Sequence, residues 1–266
     1  MSSSDSSSDG FDQRLRQRTF QRTNGLETVP LVDIPQPHGT IPNSPLAAST
    51  ISFLLGSTFA IGLFTFISGG FDRFWWSTYQ LGFFAAAWAA FHWGEFAVTA
   101  GWNREKCSVD SFLLDNGAMY HIANGIALSE YLLTLYFLPS AKSYPYVSLV
   151  GVFMVVLGQA VRSAAMIHAS TNFSHSVAFR KLQGHRLVTD GIYAWFRHPS
   201  YAGFFYWALG TQLVLQNTVT FIVFLVLLWR FFARRVEAEE KALVQFFGDQ
   251  YVEYRKRVGT MMPLVG

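Results

Sequence analysis

Long apolar runs constrain this chain more than any other feature of its sequence. Several of them approach the roughly 20 residues that an α-helix needs to cross a bilayer, and 51% of the 266 residues are hydrophobic. Charged residues make up only 14% of the chain, well below the roughly 25% typical of soluble domains. A soluble helical protein with buried core helices is the alternative, but the runs are too long and too uniformly apolar for it. The sequence therefore predicts an all-α integral membrane protein.

Six of these runs are candidate membrane helices. The last two, about Tyr201–Leu215 and Val219–Phe232, are short for a full crossing and are joined by a brief polar link, so we predict a helical hairpin. We expect its second helix to continue beyond the membrane to about Tyr254. Ionisable residues in the third run favour a place inside the bundle, because charge is costly against lipid. The four earlier runs are Pro45 to about Ser68, about Trp75–Gly101, 111–138 and about Tyr144–Ala169.

The distribution of basic residues predicts the orientation of these spans. Arginine and lysine occur in the N-terminal tail, in loops 102–110 and 170–198 and in the C-terminal segment, whereas the opposite loops hold only Arg73 and Lys142. By the positive-inside rule, both termini face the cytoplasm. Residues 1–44 are polar and lack an apolar period, which predicts a disordered tail before a membrane domain at 45–266.

The sequence contains few of the usual signatures of catalysis. Its single cysteine, Cys107, permits no intramolecular disulfide and no cysteine-based metal cluster. No P-loop, no dinucleotide-binding glycine motif and no serine or cysteine nucleophile motif is present. The histidines and acidic residues of the apolar runs are not spaced as metal ligands, and we interpret them as groups that hydrogen-bond between helices. They are His92, Glu95, His121 and Glu130. We expect neither a metal nor a nucleic-acid partner.

Two polar stretches interrupt the apolar pattern. The first is Gly184–Gly203, with the sequence GHRLVTDGIYAWFRHPSYAG, and the second is Arg234–Glu240. The predicted hairpin would fold the second stretch back onto the first, and the predicted orientation places both on the cytosolic face. We therefore predict that the two stretches form one site at a membrane surface.

The motif Arg197-His198-Pro199-Ser200-Tyr201 lies where the first polar stretch enters the fifth run. Pro199 disfavours helix at His198 and is itself suited to the first turn of a helix. The N-terminal end of a helix presents free N–H groups, which suit a carboxylate or a phosphate. A cap of arginine, histidine and tyrosine that anchors the helix to lipid headgroups is an equally good interpretation.

The second polar stretch carries Arg235 and Glu239, four residues apart and so on one helix face. A solvated ladder of charges is the usual meaning of such a run. Gln159 and Arg162 lie near the end of the fourth run. In one interpretation both point into the predicted site; in the simpler one Arg162 extends to the membrane interface. None of these patterns identifies a chemistry by itself.

Taken together and in order, these residues resemble the isoprenylcysteine carboxyl methyltransferases. The resemblance covers roughly residues 85–260, with order and spacing kept. The stretches that carry it are His185–Tyr193, Arg197–Gly203 and Arg235–Glu240, with support from His92–Ala100, Asp110–Leu114 and Asn172–His175. The resemblance implies a membrane enzyme of the endoplasmic reticulum that methylates the C-terminal carboxylate of a farnesylated or geranylgeranylated cysteine in CAAX-processed proteins. It also implies S-adenosylmethionine as the methyl donor and a catalytic region at about 170–260.

The same resemblance assigns roles to individual residues. Arg235 would face the substrate carboxylate, Glu239 would help to hold the cofactor, and the two would form the catalytic pair. The other cofactor-binding residues that it implies are His185, Arg186, Leu187, Val188, Tyr193, His198, Pro199, Ser200 and Tyr201. One departure lies in the linker, where the family has a glutamine that contacts the cofactor. This chain reads Val177-Ala178-Phe179 there, and Gln183 is a candidate substitute.

The residue chemistry agrees with the implied reaction. A carboxylate is already ionised at neutral pH, so methyl transfer from a sulfonium needs positioning and exclusion of water rather than a general base. The prenyl chain would remain in membrane lipid or between helices. The nearest rival is a phospholipid or amine methyltransferase of a related membrane family, but Arg235 would be badly placed beside a cationic substrate. An NADPH-dependent sterol reductase would have more spans, and a transporter would show an internal repeat, which we do not find.

Overall fold

The structure, a computed structural model, describes residues 39–175 and 186–265. These ranges contain no β-strand, and an isolated bridge joins Gly70 to Thr78. The α-helices of the described ranges are α1 Pro45–Ile67, α2 Tyr79–Trp102, α3 Ala118–Phe137, α4 Pro145–Ala169, α5 Pro199–Val214, α6 Val219–Phe247 and α7 Asp249–Arg257. The predicted all-α fold is therefore confirmed for the described part of the chain.

Local sequence explains where several helices begin. Proline occupies the first turn of α1, α4 and α5, where a missing N–H removes no helical hydrogen bond. The side chains of Ser44 and Thr78 accept hydrogen bonds from first-turn N–H groups of α1 and α2, as N-cap residues do. These starting points are properties of single residues, and the sequence predicts them directly.

Glycines hold α4 and α5 in close contact. A Cβ atom at Gly158 of α4 would lie 2.6 Å from the carbonyl oxygen of Gly203 in α5, and one at Gly151 would lie 2.7 Å from that of Gly210. Real Cβ atoms do not approach a carbonyl so closely, so a larger residue would force the helices apart. Small residues that let helix backbones touch are common between membrane helices. These contacts hold α5 against α4 from Gly203 to Gly210.

Helix α3 lies at the edge of the bundle, so the expectation that it packs inside is wrong. Only two of its 20 residues are buried, and His121 is exposed. Glu130 does not need an interior position, because its two carboxylate oxygens accept hydrogen bonds from the backbone N–H groups of Val219 (2.9 Å) and Thr220 (2.7 Å). These groups form the N-terminus of α6, where the helix dipole also favours a negative charge.

The hairpin formed by α5 and α6 is present, but α6 is shorter than predicted. It ends at Phe247 rather than near Tyr254, and α7 follows as a separate helix. Gly248 lies between them with φ +54°, a left-handed conformation that glycine adopts without strain. The break redirects the chain, so that Tyr251 and Tyr254 of α7 are buried against the rest of the protein.

Within the described ranges, two helices are long and apolar enough to cross a membrane by length and composition. They are α1 and the helix that runs from Pro145 through a 3₁₀ extension to Asn172. The outer faces of α1 and α4 also expose large apolar side chains, among them Phe53, Ile61 and Phe153. Extended apolar surfaces are rare on soluble monomers, whereas lipid is a suitable environment for them. The count of six spans stays a prediction.

Candidate active site

Two adjoining cavities meet at the first turn of α5. We call one the connector cavity, because residues of the 186–201 segment line it, and the other the bundle cavity. Phe173, Ser174, Ser200 and Tyr201 line both, so occupants of the two cavities would touch there. Further walls of the connector cavity are Arg186, Leu187, Val188, Tyr193, His198, Pro199 and Glu239. Further walls of the bundle cavity are Leu113, Arg162, His175, Phe204, Phe231, Phe232 and Arg235.

The structure brings together the two polar stretches of the sequence, as the hairpin predicted. Nearly all of the residues that the family resemblance assigns to the cofactor line the connector cavity, whereas Arg235 lines the bundle cavity beside it. His185 lies outside the described residues, as do Val177-Ala178-Phe179 and Gln183. A cofactor role for the cavity residues stays a prediction.

His198 is buried inside the protein, so its interpretation as a headgroup anchor is wrong. It directly precedes the first helical residue of α5, Pro199. Its Nε2 lies 3.3 Å from Glu240 Oε1, and its Nδ1 lies 3.7 Å from Glu239 Oε2. The imidazole also stacks on the ring of Tyr201, with an interplanar angle of 2°. The motif therefore forms part of the cavity wall and does not face lipid.

Arg197 is also buried, and it ties the start of α5 to the end of the chain. Its Nε donates to Glu240 Oε1 (2.9 Å), and its Nη1 donates to the carbonyl oxygens of Arg255 (3.0 Å) and Val258 (2.7 Å). Its backbone N–H donates to the carbonyl oxygen of Gly259 (2.9 Å). We call this group of contacts the Arg197 clamp. It holds α7 and the following residues beside the connector cavity.

The Arg197 clamp contains an ionised carboxylate. Burial alone would raise the pKa of Glu240, but the hydrogen bond from His198 and the charge of Arg197 oppose that effect and lower the pKa to about 2. Glu240 lies well beyond Phe232, where we expect α6 to leave the membrane. The carboxylate therefore remains charged at all physiological pH values, and the clamp is an ion pair rather than a neutral contact.

Arg235 and Glu239 contact the same tyrosine hydroxyl rather than each other. Nε of Arg235 donates to Tyr201 Oη (2.9 Å), which in turn donates to Glu239 Oε2 (2.5 Å). Nη2 of Arg235 donates to the backbone carbonyl of His175. The ion pairs of the described residues include none with Arg235. Its positive charge is thus held by neutral acceptors, one of which, Tyr201, lines both cavities.

A solvated charge ladder describes the neighbouring pair of α6 instead. Lys241 Nζ donates to Glu237 Oε1 over 2.7 Å, and the two side chains are 72% and 66% exposed. Exposed pairs of this kind contribute roughly 0–1 kcal/mol. Arg235 and Glu239 are half-buried on a different face of the same helix, so the two pairs have different surroundings despite equal spacing.

A buried ion pair behind the bundle cavity is the feature that sequence reasoning missed. Nε and Nη2 of Arg162 donate to the two carboxylate oxygens of Glu95 at 2.5 and 2.8 Å, and the side chains are 8% and 1% exposed. Nη1 of Arg162 donates to the hydroxyl (3.0 Å) and carbonyl oxygen (3.2 Å) of Ser200. The expectation that Arg162 extends to the membrane interface is therefore wrong. Gln159 lines neither cavity.

One signal in the sequence pointed to this pair. Glu95 and Arg162 each lie about two turns before the end of a mostly apolar helix, and a charge at such depth requires a partner. The prediction that the ionisable residues bond between helices is confirmed for His92, whose ring nitrogens lie 2.7 Å from the Phe112 carbonyl oxygen and 2.8 Å from Tyr120 Oη. Spacing along the sequence does not reveal which helices face each other.

The connector cavity has polar groups that a ligand can satisfy. The hydroxyl of Tyr251 is buried, lines the cavity and makes no hydrogen bond of normal geometry to a described residue, although Glu240 lies close to it. Burial raises the pKa of Tyr251 and of Tyr193, so both hydroxyls stay neutral at physiological pH. Glu239 adds a carboxylate that is 29% exposed. A ligand with a positive charge and several hydrogen-bonding groups suits this lining.

Comparisons with known proteins point to one family. A model described as the isoprenylcysteine carboxyl methyltransferase (ICMT) family matches residues 150–245, which include most of α4, all of α5 and both Arg235 and Glu239. The protein-S-isoprenylcysteine O-methyltransferase of Homo sapiens is 42% identical over 207 residues, which cover 78% of this chain and 72% of the human protein. The chain belongs to the isoprenylcysteine carboxyl methyltransferase family.

Further relatives extend the match over most of the chain. The protein-S-isoprenylcysteine O-methyltransferase of Saccharomyces cerevisiae is 38% identical over 232 residues, 85% of this chain and 94% of that protein. A solved structure of the eukaryotic intramembrane Ras methyltransferase ICMT superimposes with a TM-score of 0.77 and 35% identity, covering 82% of this chain and 77% of that one. These matches confirm the family resemblance of the motifs. Membership of this methyltransferase family identifies the protein as an enzyme.

Proposed function

We propose that this isoprenylcysteine carboxyl methyltransferase transfers a methyl group from S-adenosylmethionine to the C-terminal carboxylate of a prenylated cysteine. The observation that carries the proposal is the position of Arg235. Its guanidinium lines the bundle cavity and is bonded to the His175 carbonyl and to Tyr201, which lines both cavities. It has no ion-pair partner among the described residues. A planar guanidinium that has no carboxylate partner within the described protein suits two parallel hydrogen bonds to a substrate carboxylate.

The bundle cavity is suited to the prenyl chain. Leu113, Phe204, Phe231 and Phe232 line it, and Phe231 is also exposed on the outer surface of the bundle. A prenyl chain would enter this cavity from the lipid phase rather than from water, so packing against these side chains, more than removal from water, would favour its binding. Arg235, at the inner end, would then hold the carboxylate at the boundary with the connector cavity.

The connector cavity is suited to S-adenosylmethionine. Glu239 and the neutral hydroxyls of Tyr193 and Tyr251 would hold its polar groups, together with Arg186, Leu187, Val188, His198, Pro199, Ser200 and Tyr201, and we expect His185 to join them. When bound, the donor would supply a sulfonium methyl group, which the substrate carboxylate would accept to form a methyl ester, with the sulfonium becoming a thioether. Because the two cavities share walls, the reacting groups would meet beside Tyr201.

The protein's own residues position the nucleophile and exclude water. The carboxylate needs no general base, because it is ionised at neutral pH, and the aromatic side chains of Phe173 and Tyr201 would shield it at the shared wall. Its negative charge decreases in the transition state, so an arginine that neutralised it fully would stabilise the ground state more than the transition state. The bonds from Arg235 to Tyr201 and His175 limit how far the guanidinium can turn toward the carboxylate.

Methyl transfer from labelled S-adenosylmethionine tests the proposal. The substrates are farnesylcysteine, geranylgeranylcysteine, the matched cysteine without a prenyl group, and an amine phospholipid. We expect transfer to a prenylcysteine only. Transfer to the amine lipid alone would favour the rival amine methyltransferase, and no transfer to any prenylcysteine by a folded sample would exclude the proposed reaction.

Neighbouring arginines provide a matched pair of variants. Arg235→Ala should reduce kcat/KM by roughly a hundredfold or more, since a charge-assisted contact to the substrate is lost, while the thermal shift produced by S-adenosylmethionine stays close to that of the wild type. Arg234→Ala removes the same charge from the exposed side of α6 and should retain nearly full activity. Equal losses in both variants would indicate a general effect of basic charge.

We also propose a multi-pass protein of the endoplasmic-reticulum membrane, with six spans and both termini in the cytosol. The basic loops and the exposed apolar faces of the helices support this topology. The catalytic region would be about 170–260, inside a membrane domain of 45–266 that follows the tail at 1–44. Glycosylation acceptor sites inserted in each loop would measure the topology. Glycosylation of a site inserted at residue 110 or at residue 190 would refute it, because both loops would then face the lumen.

A further inference from the structure

Arg235 is connected to a buried carboxylate that lines neither cavity. Its Nη2 donates to the backbone carbonyl of His175, and the ring nitrogen Nε2 of His175 lies 2.9 Å from Oε2 of Glu95. The other oxygen of Glu95 accepts a hydrogen bond from Arg162 Nε. One residue, His175, therefore contacts the buried ion pair through its side chain and the proposed substrate arginine through its main chain.

The ion pair has a geometry that fixes the Glu95 carboxylate. Arg162 binds both carboxylate oxygens and also holds Ser200 at the start of α5. A buried pair of this kind adds little net stability compared with well-packed apolar residues, because both charges lose their hydration. What it does provide is a carboxylate oxygen at a defined position, toward which the His175 ring is directed.

We infer that Glu95 is a positioning residue for Arg235, acting through His175, and that Arg162 orients Glu95 for this role. The inference rests on the proposed function of Arg235 as the group that binds the substrate carboxylate. In the folded protein, the hydrogen bond between Glu95 and the His175 ring fixes the position of His175. Its carbonyl oxygen can then accept a hydrogen bond from Nη2 of Arg235. Tyr201 accepts a second hydrogen bond from Arg235, and the remaining N–H groups are directed to the substrate.

The inference separates substrate binding from donor binding. His175 lines the bundle cavity but not the connector cavity, so the loss of its side chain should disturb Arg235 without disturbing the donor site. The side chain of His175 is 28% exposed, and its replacement leaves no buried void of the kind that destabilises a core. The KM for a prenylcysteine should therefore rise, while the Kd for S-adenosylmethionine stays the same.

The test compares His175→Ala with His175→Gln in the full-length protein, using farnesylcysteine and labelled S-adenosylmethionine. We expect His175→Ala to raise the KM for farnesylcysteine about tenfold, with the Kd of the donor within about twofold of wild type. His175→Gln should restore most of the affinity, because its amide nitrogen can occupy the place of Nε2. His121→Ala, an exposed histidine of α3, is the matched control and should change neither value.

Several results would overturn the inference. They are an unchanged KM in His175→Ala, a parallel loss of donor affinity, and a glutamine variant no better than the alanine variant. As a second measurement, Glu95→Gln should raise the KM by a similar factor, and adding His175→Ala to it should cause little further change. If Glu95→Gln does not fold, the two His175 variants decide alone. Wild-type protein that methylates neither farnesylcysteine nor geranylgeranylcysteine refutes the proposed function, whereas normal wild-type activity with unaffected His175→Ala refutes only this inference.

Discussion

The Arg197 clamp makes a strong prediction about stability. Arg197 and Glu240 form an ion pair with side chains that are only 5% and 9% exposed, and Arg197→Met would remove three hydrogen bonds from the guanidinium. Breaking a buried pair by removing one partner costs about 3–5 kcal/mol, because the other charge stays buried. The contacts from His198 and Arg255 to Glu240 persist in the variant. We therefore expect the free energy of unfolding to fall by an amount near the lower end of this range, about 3 kcal/mol.

Removal of both charges should be less harmful than removal of one. Arg197→Met/Glu240→Leu leaves no buried unpaired carboxylate, and we expect it to recover at least half of the stability lost in Arg197→Met. Lys241→Ala, which removes the exposed pair with Glu237, is the control and should change the free energy of unfolding by less than about 1 kcal/mol.

Thermal and denaturant unfolding in detergent measure these differences directly. Limited proteolysis should also show earlier cleavage near Gly248 in Arg197→Met, because the clamp holds α7 to the start of α5. The reasoning is refuted if Arg197→Met is as stable as Lys241→Ala. It is also refuted if the double variant is less stable than the single one, since the buried charge would then not be the source of the loss.

Three further predictions follow from the packing and charges around the site. Gly158→Leu should destabilise the protein by at least about 1–3 kcal/mol, since a Cβ there would lie 2.6 Å from the Gly203 carbonyl oxygen; unchanged unfolding would refute the close contact. The pKa of Glu240 is lowered to about 2, so its contribution to stability should be complete above about pH 4.5 and be lost as the pH falls toward 2; the Glu240→Gln variant should lose this part of the pH dependence. Tyr201→Phe removes the hydroxyl that accepts from Arg235 and should lower kcat/KM for a prenylcysteine about tenfold in steady-state assays, and full activity would show that the hydroxyl is dispensable.

Much of the architecture followed from short-range chemistry. Run length and composition predicted helices throughout the described chain, and Pro199 predicted where α5 begins, because a proline lacks the N–H that an interior helical position needs. The brief link between α5 and α6 predicted that the two polar stretches share a face. Gly248 is the local signal for the end of α6, because glycine readily adopts the left-handed conformation that ends a helix; the expectation of a helix to about Tyr254 did not include it.

The roles within the family came from motif order, which spacing alone does not explain. His198 at the start of α5 and Arg235 on α6 are far apart in sequence, and their helical patterns also fit a headgroup anchor and a solvated ladder. Within the sequence, only the resemblance selects the methyltransferase interpretation. The structure then rejected both alternatives, because His198 is buried and Arg235 bonds to Tyr201 rather than to Glu239.

The sequence by itself determined the helical class, the helix starts and the meeting of the two polar stretches. The tertiary structure alone decided which charges are partners: Arg162 binds Glu95, and Arg235 binds Tyr201 and the His175 carbonyl. The physical reason is that a helical pattern identifies a face but not the helix opposite it. That choice depends on how closely the backbones approach and how each helix is rotated, which here is set by contacts such as Gly158 against Gly203.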